Sequence, residues 1–343
     1  MAEIARKTQV ITGVAPDRIP YAELLEAGQP SILKGVARDW SLVRNARESP
    51  EKAIAYLKKF CGVTPITVFL GPPEIAGRFF YNEKVTGFNF AAHKVPLAET
   101  LDRLQLLMSD EHAPAVYVGS TDIDLYLPGL RAENDLPLND PMFTHNRPLV
   151  SIWLGNRTVA SAHFDSTHNL ACCVAGHRRF TLFPPDQVHN LYPGPLEPTP
   201  GGQVITMVDF NAPDFERFPR FREALAAGQV ADLEPGDVLF YPAMWWHHVE
   251  ALDPFNALIN YWWTTTPRYM DSPQTTLMHA LLSLRDLRPQ EKSAWRELFD
   301  YYVFGTAGRA AEHLPESARG NLGPMDDTKA RRLRAFLLSR LNR

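Results

Sequence analysis

The amino-acid sequence predicts a mainly β protein: a double-stranded β-helix (jelly-roll barrel) with flanking helices and a helical C-terminal region. Short apolar segments separated by turns run at 149–154, 157–163, 169–175, 178–183, 204–207, 238–241, 247–251 and 256–263. Eight short strands at such intervals are the pattern of a two-sheet antiparallel fold. The 29 prolines and 11% aromatic residues favour short strands and loops over a helical bundle. The tripeptide His163-Phe164-Asp165 and the single His247 complete the pattern. Asp165 and His247 lie 82 positions apart (247 minus 165), a separation that neighbouring barrel strands close.

Before the barrel, residues 8–12 read as extended, 21–27 as a short helix and 31–34 as a buried strand. Ser49-Pro50-Glu51 is an N-cap, a proline at the first helical position and an early acid. Ala53, Ile54, Tyr56, Leu57 and Phe60 continue that helix at helical spacing. Segments 64–70 and 78–82 are expected strands around the Gly71-Pro72-Pro73 turn, 95–108 is an amphipathic helix, and 115–118 is a strand carrying Tyr117. Residues 122–147, rich in Pro, Asn and Asp, are expected to run irregularly over the barrel mouth. Beyond the barrel, Ser272-Pro273 and Pro289 open two helices, the second ending at Gly305, and a third spans 327–341. This division gives an N-terminal α+β segment packing on the barrel (1–114), a barrel core (115–268) and a C-terminal helical region (269–343).

With 343 residues, 45% apolar and 22% charged, the chain is long enough for a sizeable core. A net charge of −4 argues against a general nucleic-acid binder. No apolar run is long enough to span a bilayer, and the segment 1–7 lacks the apolar core of a secretory signal. Cys61, Cys172 and Cys173 do not make a disulfide framework, because adjacent cysteines on a strand point to opposite faces. Free thiols suit a reducing cytoplasm.

His163 and Asp165, spaced two apart on a strand, can aim into one cavity. With His247 they make the two-histidine, one-carboxylate set of a mononuclear Fe(II) site, which leaves coordination positions open for a cosubstrate and oxygen. In the commonest use the cosubstrate is 2-oxoglutarate, whose distal carboxylate must meet a fixed cation inside the barrel. Arg178, which starts the strand after Gly176-His177, offers a bidentate fork for it. Tyr117 can add a hydroxyl donor, and Asn169 and Asn260 can supply amides to the metal-bound end. On the opposite face from His247, His248 is expected to make a structural hydrogen bond.

Ordered motifs extend this pattern: His163-Phe164-Asp165, Asn169, the run 178–187 (RRFTLFPPDQ), 208–219 (VDFNAPDFERFP), 235–239 (PGDVL), 245–248 (WWHH) and 260–262 (NYW). Together they resemble the cupin-like, JmjC-type Fe(II)/2-oxoglutarate-dependent oxygenases, and among these the asparaginyl hydroxylases most. The resemblance is dense from about 115 to 263. It implies iron at His163, Asp165 and His247, and 2-oxoglutarate against Tyr117, Asn169, Arg178 and Asn260. It also implies that Trp262 packs over the pocket and that the C-terminal helices make a homodimer. Arg178 stands where those hydroxylases carry lysine. A threonine that touches the cosubstrate in them is Ala160 here, with Ser161 or Thr158 as possible substitutes. Of the two glutamines that hold the target amide, one aligns with Gly119 and the other with Ile205 or Gln203.

The expected activity is hydroxylation of a C–H bond in a protein or peptide side chain or a small molecule, releasing succinate and carbon dioxide. The same chemistry on an N-methyl carbon would demethylate, and on a tRNA base would hydroxylate it. Two other readings stay open: a metal cupin that uses no 2-oxoglutarate, and a cupin-like binding or regulatory protein without turnover.

Overall fold

Short β-branched and aromatic runs become strands, and those with alternating faces become the walls of a barrel. The strands are β1 (Gln9–Ile11), β2 (Ser31–Leu33), β3 (Pro65–Gly71), β4 (Arg78–Phe79), β5 (Ala91–Pro96), β6 (Ala115–Asp122), β7 (Leu149–Gly155), β8 (Val159–His163), β9 (His168–Ala175), β10 (Arg178–Phe183), β11 (Gln229–Leu233), β12 (Val238–Tyr241), β13 (Trp246–Ala251) and β14 (Asn256–Trp263). They form a nine-stranded sheet, β1-β2-β12-β9-β14-β7-β6-β3-β5, and a five-stranded sheet, β11-β10-β13-β8-β4. The eight strands β7–β14 divide four and four between the two sheets and switch sheet at each step except from β10 to β11, which are paired neighbours in the small sheet. This computed structural model describes residues 4–306 and 308–342. Residues 1–3 of the N-terminal segment read above lie outside them.

The period-two pattern decides what faces inward. On β9, Leu170, Cys172 and Val174 join the core between the large sheet and its covering helices. Ala171 and Cys173 join a separate core inside the barrel, with Phe180 and Leu182 of β10, Leu239 of β12 and Leu258 of β14. Asn169, Arg178, Asn260 and Trp262 share the parity of these inward residues, so the same alternation turns them into the barrel. Cys172 and Cys173 are free and buried on opposite sides of the sheet, as expected.

Three differences from the sequence reading concern elements. The segment 204–207 is not a barrel strand; it makes only isolated bridges, His163 to Ile205 and Pro193 to Thr206. The eighth barrel strand is instead β11, paired antiparallel with β10. Val204–Met207 looked like a strand because it is short and largely apolar, but Val204, Ile205 and Thr206 are buried, with Ile205 across the end of β8, rather than along an edge. Residues before 115 do more than pack on the barrel: β1, β2, β3 and β5 extend the large sheet by hydrogen bonds, and β4 pairs with β8. Two helices, Ser41–Glu48 and Phe221–Ala227, were not anticipated.

The long connection between β10 and β11 builds a third small core from Leu191, Val208, Phe210 and Phe221 against Phe183 and Trp246. It is latched by Arg78, which donates to Asp209 Oδ2 at 3.2 Å, to the Val208 carbonyl at 3.2 Å and to Ser161 Oγ at 3.3 Å.

The chain divides into two compact units, Met1–Thr264 and Thr265–Arg343. The second holds helices Pro273–Ser283, Pro289–Phe299 and Asp327–Leu341. Ser272 caps the first by accepting from Gln274 N at 3.2 Å, and Asp326 caps the last by accepting from Thr328 N and Lys329 N at 2.8 Å. Among the described residues no helix is long and apolar enough to cross a membrane.

Candidate active site

A cavity of about 690 Å³ opens into the barrel. At its centre, β13 runs antiparallel to β8 with His247 opposite His163. Two steps along β13 then match three along β8, a bulge that re-aims the end of β8. Asp165 lies two residues past His163, beyond the strand end. One ligand atom each from His163, Asp165 and His247 falls within 4.8 Å of the others. The imidazole rings are 4.2 Å apart, and His247 Nε2 stands 3.6 Å from Asp165 Oδ2, too far for a hydrogen bond.

The backbone settles which ring nitrogen is free. His163 Nδ1 donates to the Ser161 carbonyl at 2.9 Å, and His247 Nδ1 donates to the Trp245 carbonyl at 3.0 Å. Each histidine therefore holds an Nδ1 proton on the backbone and turns Nε2 to the other side, the arrangement a metal ligand needs. Burial, with the neighbouring His163, holds His247 well below the usual imidazole range, so it is neutral. Burial also raises the Asp165 carboxyl, partly offset by His163. A buried carboxylate beside two imidazole Nε2 atoms is a donor set matched to a divalent cation.

Around this triad the barrel leaves polar atoms without partners. Arg178 is 5% exposed, has an unpaired Nε and makes no salt bridge among the described residues. Burial lowers its pKa, and the residues that oppose this are Cys173 and Tyr117, not a carboxylate. Asn169 donates to the Tyr241 hydroxyl at 2.6 Å and leaves Oδ1 unpaired. Asn260 accepts from Trp153 Nε1 at 2.7 Å and leaves Nδ2 unpaired. Trp262, packed edge-to-face on Trp153 with centroids 5.6 Å apart, leaves its indole N–H unpaired. Buried unpaired groups are rare enough to need a cause. Here all four line one cavity: Arg178 Nε, Asn260 Nδ2 and Trp262 Nε1 are donors that answer a small anion, and Asn169 Oδ1 is an acceptor that answers a donor or a cation.

Tyr117 lines the same cavity from β6, and burial pushes its phenol up to about 12, so it is a protonated donor. All the predicted site residues thus come together: His163, Asp165 and His247 at the triad, with Tyr117, Asn169, Arg178, Asn260 and Trp262 around it. Thr158 and Ala160 also line the cavity, and the Ser161 hydroxyl is engaged by Arg78. Gly119, Gln203 and Ile205 are lining residues too.

Sequence reasoning missed Tyr241, whose ring lies 4.7 Å from His247 while its hydroxyl meets Asn169. It also missed Trp153, which orients Asn260. Period-two parity with Leu239 on β12 and with Ser151 on β7 was the available signal for both. His248 corrects an expectation. It faces away from the triad, but both ring nitrogens lack a partner, and it stacks on Phe210 at 4.3 Å and 24°. Burial drives its pKa down to about 3, so it serves as a neutral packing ring.

A family model described as "Cupin-like domain" matches residues 16–269, most of the chain. The chain belongs to the cupin-like domain family. Among curated relatives, human HSPB1-associated protein 1 is 34% identical over 149 residues, covering 42% of this chain and 30% of that protein. Lysine-specific demethylase JMJ31 of Arabidopsis thaliana is 31% identical over 143 residues, 39% of this chain and 26% of that protein. JmjC domain-containing protein D of Dictyostelium discoideum is 24% identical over 245 residues, 67% and 50% of the two chains. This cupin-like chain therefore spans half or less of these relatives' lengths. The relatives support the wider cupin/JmjC superfamily and do not single out the asparaginyl hydroxylases.

Proposed function

We propose that this cupin-like protein is an Fe(II)- and 2-oxoglutarate-dependent oxygenase that hydroxylates a C–H bond of a protein or peptide side chain. The observation that carries this reading is Arg178: a buried cation with no carboxylate partner, facing the same cavity as the triad. His163 Nε2, Asp165 and His247 Nε2 would hold the metal. When bound, a ferrous ion would supply oxygen activation at the expense of the 2-oxo acid. In the balanced reaction one oxygen atom of O2 enters the C–H bond and the other enters succinate, with carbon dioxide released.

The protein's own contributions are positioning and charge. Arg178 would pair with the distal carboxylate of 2-oxoglutarate, and Tyr117 would donate to it. Asn260 would donate Nδ2–H to the other end, and Asn169 would offer its amide there. Trp262 would close over the cosubstrate and exclude water. Thr158, two residues from Ala160 and lining the cavity, supports a role as the substitute hydroxyl better than Ser161, which Arg78 already engages. The motif likeness to asparaginyl hydroxylases belongs to this proposal, but Gly119 offers no amide to hold an asparagine target.

Demethylation is the second reading, and the name of the Arabidopsis relative favours it. We further propose a homodimer through the C-terminal unit, which exposes Leu282 (79%) and Phe304 (74%), and a reducing compartment such as the cytoplasm, in keeping with three free thiols.

The test is direct. Purified protein should release succinate from 2-oxoglutarate only with Fe(II), and a chelator should stop it reversibly. His163→Ala should lower metal affinity at least 100-fold, and Arg178→Ala should weaken 2-oxoglutarate binding at least tenfold, with Arg178→Lys partly restoring it. Absence of 2-oxoglutarate binding to the metal-loaded wild type would sink the reading.

A further inference from the structure

The cavity's charges are few. Among the described residues, besides the two histidines of the triad, the lining residues with an ionisable side chain are Asp165, Arg178 and the phenols Tyr117 and Tyr241, and burial keeps both phenols protonated. On the oxygenase reading above, the inference rests on a simple balance. A ferrous dication and Arg178 together cancel Asp165 and the two carboxylates of 2-oxoglutarate. The site is neutral before any substrate enters.

The remaining lining is uncharged. Phe69, Phe79 and Phe90 form an aromatic wall beside Tyr117, and the connection between β10 and β11 contributes Pro200, Gln203 and Ile205. The rings turn their edges into one another: Phe69–Phe90 at 5.4 Å and 82°, Phe79–Phe90 at 5.2 Å and 67°. They make a wall, not a cup of open faces of the kind that holds a methylated ammonium.

We infer that the substrate group entering this cavity is an uncharged, apolar side chain of leucine or phenylalanine type. A lysine ammonium would leave one positive charge uncompensated beside the buried Phe79 and half-buried Phe69 and Phe90, and a carboxylate would leave one negative charge. An asparagine amide seated on the Phe69, Phe79 and Phe90 wall would set donors and acceptors against rings that cannot answer them; the polar lining residues Thr67, Ser120, Ser166, Thr167 and Gln203 are not part of that wall.

The experiment uses the full chain loaded with Zn(II), which is diamagnetic and does not turn over. Binding of 2-oxoglutarate is measured first by calorimetry. Its absence would overturn the oxygenase reading, and the charge balance falls with it. With 2-oxoglutarate bound, saturation-transfer NMR ranks N-acetyl, N′-methylamide derivatives of Leu, Phe, Asn, Lys, Nε-trimethyl-Lys and Glu. The expected result is side-chain saturation of the Leu and Phe probes at least fivefold above the other four. Equal or stronger saturation of the Lys, trimethyl-Lys, Glu or Asn probe overturns the inference, as does no saturation of any probe. Gln203→Glu, an isosteric change at the cavity wall, should raise the Lys signal several-fold while 2-oxoglutarate binding is kept. A Gln203→Glu protein that binds 2-oxoglutarate and still rejects lysine would count against charge balance as the cause.

Discussion

Asn260 owes its orientation to Trp153. An indole N–H can only donate, so the amide oxygen of Asn260 is held on Trp153 Nε1 and its Nδ2 hydrogens are turned the other way, unpaired. Asn169 is different, because the Tyr241 hydroxyl it meets can donate or accept, and its amide can turn over at little cost. Trp153 is thus a positioning residue for the proposed cosubstrate. Trp153→Phe keeps the ring and removes the donor. It should raise KM for 2-oxoglutarate about fivefold, equivalent to roughly 1 kcal/mol for one hydrogen bond, with kcat nearly unchanged. Asn260→Ala should do the same, and the double variant should lose no more than the larger single, because the two act through one bond. Additive losses in initial-rate kinetics would show that Trp153 acts by packing alone.

Strands β9 and β10, which follow one another in the chain but belong to different sheets, carry Asn169 at one end and Arg178 just past the turn that joins them. That turn depends on Gly176, at φ 67°, where an added Cβ would come within 2.4 Å of Asn256 Oδ1 and 2.6 Å of the Phe255 carbonyl. Gly176→Ala should destabilise by about 2–4 kcal/mol, from a left-handed non-glycine residue and a displaced buried amide. Gly202→Ala, also at positive φ but in open space, should cost only about 1 kcal/mol. Thermal or urea unfolding of the two variants distinguishes backbone strain from the clash. Strand β9 also protects its thiols: Cys172 and Cys173 are fully buried, and burial pushes Cys173 up to about 12. Neither should react with iodoacetamide in the native protein, while both should react in urea. Most of this was readable from alternation and from Gly176. The mistaken strand at 204–207 was not avoidable by the same means, since a short apolar run carries no sign of whether it lines an edge or caps an end.

At the scale of the chain, the C-terminal unit leaves Leu277, Leu282, Val303 and Phe304 exposed, more apolar surface than a stretch of this length usually shows to water. If the proposed homodimer forms there, light scattering should return twice the chain mass. Leu282→Asp with Phe304→Asp should return the single-chain mass without lowering the melting temperature of the barrel. A single-chain mass for the wild type would refute the dimer. The helices of this unit were legible because their starts are chemically marked: Ser272-Pro273, Pro289, and Asp326 two and three residues before the amides it caps. Helix Ser41–Glu48 has no such mark. Trp40 precedes it without a side-chain cap, and its place is set by burial of Leu42 and Val43 in the core.

What the sequence determined by itself was the chemistry and its periodicity. Residue types two apart on a strand share a face whatever the fold, so Asn260 and Trp262 could be paired before any coordinates; the same ground pairs His163 with Asp165, but β8 ends at His163 and Asp165 reaches the site from beyond the strand. Tertiary structure alone decided the rest. The register of β13 on β8 set His247 opposite His163, and the carbonyls of Ser161 and Trp245 chose the free nitrogen on each ring. Trp153 and Tyr241 gained their roles from strands far away in sequence, and the absence of a carboxylate partner for Arg178 among the described residues is visible only once the barrel is closed. Local pattern reports direction; which group lies across the cavity depends on closure of the barrel, and that is a property of the whole chain.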